Sequence, residues 1–340
     1  MNLELGHEPD EALRVRAAWL YYLVGLTQEE TAGRLGLHRT RVVRLLAEAR
    51  ETGLVSISIR HDAVRDLEME HAIARRFGLD FCLATPPIGL AVSDDAMLGA
   101  ALGAAQAMVA RRAVGAAAAA MLRGKLANGP MTVGVSWGRT LEQVAQQLAG
   151  VRNPAARFVS LMGSLTRNSA SNPFEVVQAL AARTGGEGHF LPVPFIADSE
   201  SDRTVLISQR IVAEALALAD AADLYLISVG ELTETAILRQ QEMISAAERA
   251  ELRALGAVCD TLGVFIDARG RLVDHPVTRR ALAIDVAHLR GRDVVLLAAG
   301  LQKVDAAAAL LRAGLVRGLI IDGDAAQELV RRHVADAARG

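Results

Sequence analysis

Cysteine is nearly absent from this 340-residue sequence: Cys82 and Cys259 are its only two, far apart and outside any CxxC spacing. That excludes a disulfide framework and a cysteine-based zinc site, and fits a reducing, cytoplasmic setting. Neither sign of charge prevails. Lys and Arg total 37 against 39 Asp and Glu, so nothing attracts the whole chain to nucleic acid or acidic lipid, and any basic surface is local. Long apolar runs are lacking too. The most membrane-like stretch, Ala113 to Leu122, is bracketed by Arg111, Arg112 and Arg123 and falls short of the ~20 apolar residues that span a bilayer. It reads as a buried or oligomer-facing helix, and no membrane partner is expected. Met1 to Asp10 is acidic and polar, unlike a signal peptide. HxxxH, HExxH, Walker A and GxGxxG patterns are missing, so neither a metal nor a nucleotide cofactor is expected. What remains is ordinary globular composition, 51% hydrophobic and 22% charged, enough for about two domains and incompatible with a disordered or collagen-like chain.

The charge is unevenly placed. Between Leu13 and Arg60 stand eight arginines and four glutamates, a net +4 that leaves −6 for the remainder. A basic N-terminal unit on an acidic body is the footprint of a nucleic-acid-binding head. Leu13, Ala17, Leu20 and Leu23 recur at helical spacing up to Gly25. Thr27 with Glu30 is a capping box that starts a second helix, and Gly36 ends it. Arg39 to Thr52 is a third helix with Val42, Leu45, Leu46 and Ala49 on one face and Arg39, Thr40, Val43 and Arg44 on the other. Leu54 to Arg60 alternates as a half-buried strand. Three short helices with a Gly turn before the last, then a strand, form a helix-turn-helix with a wing-like extension. The third helix fits the major groove of double-stranded operator DNA: Arg39 and Arg44 can bond guanine, Thr40 a base or phosphate, and Val43 a thymine methyl, with Arg41 on the backbone. Thr27, Gln28 and His38 complete the expected contact set. The bland alternative is a solvated arginine-rich helix in a small bundle.

The run AAWLYYLVGLTQEETAGRLGLHRTRVVRLLAEARETGLVSI resembles the head of the SorC (SorC/DeoR-type) sugar-binding transcriptional regulators. His38 departs from the family's usual Ser, and Val43 from its commoner polar residue. Both changes bear on which operator is read. A head of residues 1–60 and a body of 61–340 are expected, with a linker helix over 61–78, where Val64 to Phe77 is amphipathic.

The body alternates short apolar runs with helical patterns. Strands are expected at Phe81–Ala84, Met131–Val135, Arg157–Leu161, Gly188–Leu191, Leu224–Val229, Val294–Ala298 and Leu319–Asp322, with helices between them, among them Ala96 to Leu126 and Leu141 to Leu148. Nearly continuous apolar strands between helices imply an α/β, Rossmann-like, mostly parallel sheet covered on both faces, with ligands beyond the strands' carboxyl ends.

Four loops stand out. Gly134, Ser136, Gly138, Arg139 and Thr140 enter a helix whose free N–H groups suit a phosphate, or simply make a strand-to-helix turn. Gly163, Ser164 and Arg167 form a polar loop able to clamp a phosphate or hydroxyls. Asp267 offers a carboxylate to sugar hydroxyls, or simply holds the turn Asp267-Ala268-Arg269-Gly270. Lys303, near a helix start, is electrostatically disfavoured unless an anion is present. GVSWGRT, VSLMGS and AAGLQKVDAAAALL resemble the same family's loops. The resemblance implies a body related to glucosamine-6-phosphate deaminase and ribose-5-phosphate isomerase folds that binds phosphorylated sugars as inducers. It implies phosphate contacts at Ser136, Gly138, Arg139 and Thr140, and polar contacts at Asp267 and Lys303. Ser228 to Leu232 departs from the family's Gly-rich form by bringing Glu231, which leaves an unphosphorylated sugar, polyol or sugar acid open.

Enzymes share this body fold, so a sugar-phosphate isomerase or deaminase is the rival reading. Its general base would be Asp, Glu or His at a loop tip. None of the eight histidines falls in the four loops, and His275 beside Asp274 reads as a turn residue. No catalytic residue is assigned. The expectation is a cytoplasmic, non-enzymatic, ligand-responsive regulator of a carbohydrate or polyol operon. It is expected to act as a homodimer or homotetramer through the linker helix and the Ala-rich segment.

Overall fold

The computed structural model of the chain describes residues 10–52, 54–55, 62–89, 96–164, 172–233 and 236–334. The chain divides into two compact units, Met1–Val64 and Arg65–Gly340.

In the first unit, α1 (Asp10–Ala18) runs into a π-wound turn, Trp19–Leu23, and is followed by α2 (Gln28–Leu35) and α3 (Arg39–Glu51). Thr27 caps α2 as expected: its hydroxyl accepts from the Glu30 amide (3.2 Å) while the Glu30 carboxylate accepts from the Thr27 amide (2.8 Å). Gly36, at φ +65°, takes the left-handed conformation that ends α2. Apolar residues three and four apart then meet in one core, where Leu13, Ala17, Ala32, Leu35, Val42, Leu45, Leu46 and Ala49 are buried. Of the expected strand Leu54–Arg60, residues 56–60 lie outside the described residues. Val55 is described and donates its amide to the Ala49 carbonyl (2.9 Å).

Most of α4 (Asp62–Phe77), from Arg65 on, belongs to the second unit. Ile73 is fully buried, with Met69, Ala74 and Phe77 packed beside it against the body's core. Among the described residues eleven strands follow: β1 (Phe81–Ala84), β2 (Thr132–Val135), β3 (Arg157–Ser160), β4 (Glu187–His189), β5 (Leu224–Ser228), β6 (Gly230–Glu231), β7 (Ala257–Thr261), β8 (Val264–Asp267), β9 (Leu272–Val273), β10 (Val294–Ala298) and β11 (Gly318–Ile321). Seven of them form one parallel sheet in the order β1-β11-β10-β5-β2-β3-β4. These are the seven strands expected from the apolar runs. The two-residue period sends Val133, Val135, Leu226 and Leu297 to one face, where α5 (Ala96–Leu126) and α6 (Arg139–Gln147) bring Val114, Leu122, Leu141 and Val144. Tyr225, Ile227, Leu296 and Leu319 face the opposite layer, with Ala307 and Leu310 of the helix Val304–Arg312. Both faces are covered, which is why these strands read as unbroken apolar runs.

The sequence reading left 257–273 without strands. The structure forms β7, β8 and β9 there and adds β6, Gly230–Glu231, to make a second, antiparallel sheet in the order β6-β7-β8-β9. From β2 the chain proceeds outward through β3 and β4, then returns so that β5, β10 and β11 build in the other direction. The reversal lies between β2 and β5, and open α/β sheets bind ligands at the carboxyl ends of such a pair.

Candidate functional site

In the first unit, α3 presents Arg39, Thr40, Arg41, Val43 and Arg44 to solvent, while Val42, Leu45 and Leu46 turn inward. Arg41 pairs with Asp10 (2.9 Å) and Arg44 with Glu48 (3.5 Å). Both pairs are exposed, so their guanidinium groups remain exchangeable. His38 is the N-cap of α3 but its side chain makes no cap bond, leaving the helix's first amides open. Thr27 and Gln28 sit at the start of α2, with Thr27 committed to the capping box.

In the second unit, the loops after β2, β5 and β10 line a pocket open to solvent. Five expected residues line it: Ser136, Gly138, Arg139, Thr140 and Lys303. Ser136 ties two of its loops together, its hydroxyl accepting from the Ser228 amide (3.1 Å). The Ser228 hydroxyl donates to the Trp137 carbonyl (2.6 Å), and the Thr261 hydroxyl donates to the Ser228 carbonyl (2.9 Å). Gly138, the N-cap of α6, has φ +132° and no side chain to cap the helix. A Cβ there would stand 2.9 Å from the Ser228 hydroxyl. The first turn of α6 therefore offers uncapped amides to the pocket.

Two guanidinium groups face the same space, Arg139 at the start of α6 and Arg111 on α5. Among the described residues neither makes an ion pair or a hydrogen bond. Burial, then the like charge of Arg139, holds Arg111 below its ordinary value, with Glu142 and Glu231 acting in the opposite sense. Lys303 differs: its ammonium donates to the Val229 carbonyl (2.8 Å) and pairs with the Glu231 carboxylate. The anion expected beside Lys303 is thus, in this structure, the chain's own. Asp260 also lines the pocket, only 4% exposed, its carboxyl without a hydrogen bond among the described residues. Burial pushes its carboxyl up to about 7, with Lys303 drawing it down and Glu231 pushing it up. Gly230 makes room for it, because a Cβ at that position would overlap the Asp260 carboxylate.

The other expected residues lie elsewhere. Gly134 is inside β2, where a Cβ would collide with Leu161 at 2.5 Å, so its role is close packing. Gly163 and Ser164 are held by backbone bonds to Leu282 and Val193 and do not line the pocket. Arg167 lies outside the described residues. Asp267 ends β8 away from the pocket. Its carboxylate accepts from the Arg269 and Arg271 amides and the Arg271 guanidinium, and these bonds hold it below its usual value.

The pocket adds Arg111, Ser228, Glu231, Asp260 and Thr261 to the set read from sequence. Arg111 sits in an alanine-rich helix, far from Arg139 along the chain, and carries no local motif. Asp260 did leave a signal: it is the one carboxylate inside the apolar run of β7.

Residues 61–331 match the Sugar-bind family model, a sugar-binding domain. The erythritol catabolism regulatory protein EryD of Brucella abortus is 35% identical over 324 residues, covering 95% of this chain and 98% of that one. The transcriptional regulator LsrR of Escherichia coli O139:H28 is 30% identical over 327 residues, covering 95% of each. In fold, the full-length sorbitol operon regulator SorC from Klebsiella pneumoniae is similar with a TM-score of 0.68 at 23% identity, over 94% of this chain and 99% of that chain. A family model spanning most of the chain, and a relative matched nearly end to end, place the sequence in one group: the chain belongs to the SorC (SorC/DeoR-type) family of sugar-binding transcriptional regulators.

Proposed function

We propose that this chain regulates a carbohydrate or polyol catabolic operon by binding operator DNA through α3 and a sugar phosphate or related polyol effector in the pocket beyond β2, β5 and β10. The observation that carries the effector reading is the pair Arg111 and Arg139. Two guanidinium groups without a partner among the described residues face one pocket beside an uncapped helix start. Like charges held together are costly unless an anion joins them, and a phosphate accepts hydrogen bonds from both guanidinium and amide donors. Hydroxyl recognition falls to the acceptors Asp260 and Glu231. The chain binds this effector without turning it over, and the named relatives, which are transcriptional regulators, support that reading.

The DNA reading rests on an exposed helix face carrying three arginines and a threonine, within a stretch, Leu13–Arg60, of net charge +4. One head contacts few base pairs, so the working form is a homodimer or homotetramer reading paired half-sites. For the effector to regulate, it must bind the DNA-competent and released forms with affinities that differ by ~1–3 kcal/mol. The test is a thermal-shift and titration screen of sugar phosphates, sugars and polyols on the wild type and Arg139→Gln. Loss of one charge-assisted contact should weaken a phosphate effector about tenfold or more. An effector that binds Arg139→Gln as tightly as the wild type contradicts the site, and turnover of the bound compound favours an enzyme.

A further inference from the structure

The charges lining the pocket are not evenly mixed. At the α6 end stand Arg111 and Arg139, in no direct ion pair among the described residues, with Glu142 and Glu231 acting on Arg111 only through space. At the other end Lys303 is already paired with Glu231, and Asp260 lies buried beside them. Ser228 packs against Gly138 at the first end, and Glu231 follows three residues later through β6, a reach of at most about 10 Å in extended chain. With that upper limit on their separation, the two ends are near enough for one short polyol chain with a phosphate at its head to meet both. We propose that Glu231 is a specificity residue: by occupying Lys303 from within the chain it rejects effectors carrying a second anionic group and restricts the pocket to singly phosphorylated polyols or sugars. The inference rests on the phosphate reading of the Arg111–Arg139 end.

Three features hold Glu231 to this task. Its backbone is pinned in register with Cys259 across β6 and β7. Its side chain is 9% exposed, so a second phosphate or carboxylate displacing it from Lys303 would leave a buried carboxylate without its cation. Asp260, paired in register with Gly230, adds acceptor character at the same spot. A terminal hydroxyl donates to such acceptors, whereas an anion is repelled by them.

The experiment titrates the full-length chain with matched pairs differing by one anionic group: sorbitol phosphate with phosphogluconate, erythritol phosphate with phosphoerythronate, and fructose monophosphate with fructose bisphosphate. Wild type, Glu231→Gln and Glu231→Asp are compared by calorimetry, with circular dichroism confirming folding. The wild type is expected to favour the single-anion member of the pair it binds by about tenfold or more. Glu231→Gln should lower that preference by a similar factor, mainly by tighter binding of the second-anion member, and Glu231→Asp should retain it. Equal wild-type affinity for both members overturns the proposal without recourse to any variant, as does an unchanged preference in Glu231→Gln. If no phosphorylated compound binds any of the three proteins, the phosphate reading has failed and this inference falls with it. Binding without discrimination defeats the inference alone.

Discussion

Asp260→Asn isolates the cost of a carboxyl buried in the pocket wall. Asp260 is 4% exposed, and burial raises its carboxyl from 3.8 to about 7. At 1.36 kcal/mol per pH unit, that rise corresponds to about 4 kcal/mol of destabilisation once the group is ionised in both folded and unfolded chains. The sign follows from proton counting. Between pH ~4 and ~7 the unfolded chain has released this proton while the folded chain keeps it, so the folded state binds more protons and stability falls as pH rises. Above pH ~7 both states are ionised and the contribution is constant. An asparagine does not titrate and lacks this contribution. Urea denaturation of both proteins at pH 5 and pH 8 should therefore show the stability of Asp260→Asn, relative to the wild type, improving by about 2–3 kcal/mol between the two pH values. Taking the difference between proteins cancels the titrating groups that do not interact with Asp260. A difference that is the same at both pH values would refute the argument that this carboxyl is held in its neutral form by burial.

Arg44→Ala should weaken operator binding and reduce its salt slope by about one, leaving the effector-induced thermal shift unchanged; equal loss of both responses, by gel shift and thermal shift, would contradict the assignment of the two tasks to separate units. Gly138→Val should abolish the effector response and lower stability by about 1–3 kcal/mol, since φ is +132° and a Cβ would stand 2.9 Å from the Ser228 hydroxyl, which calorimetry and ligand titration can check. Thr27→Ala removes the cap of α2 and should destabilise the head by about 1 kcal/mol, read from the midpoint of its urea transition.

The seven strands of the parallel sheet were legible because strands buried on both faces must be apolar at nearly every position, as Val294–Ala298 is. The head was legible for a local reason: a capping box, a left-handed glycine and a periodic apolar face each act within a few residues. In the antiparallel sheet, β6 and β9 are two residues long, too short to leave a periodic signature, and β7 closes on Asp260 and Thr261, which break its apolar run.

The sequence by itself determined the basic helical head, the doubly covered parallel sheet and the loops at its carboxyl ends, since all follow from short-range periodicity and turn chemistry. Only the tertiary structure decided which loops converge. Strand order set β10, β5 and β2 side by side, bringing Arg111, Arg139, Ser228, Asp260 and Lys303 around one space while Asp267 was left to its own turn. Strand order depends on contacts between residues far apart in the chain. So does the pairing of Lys303 with Glu231, in which a charge that looked free along the sequence finds its partner across the fold.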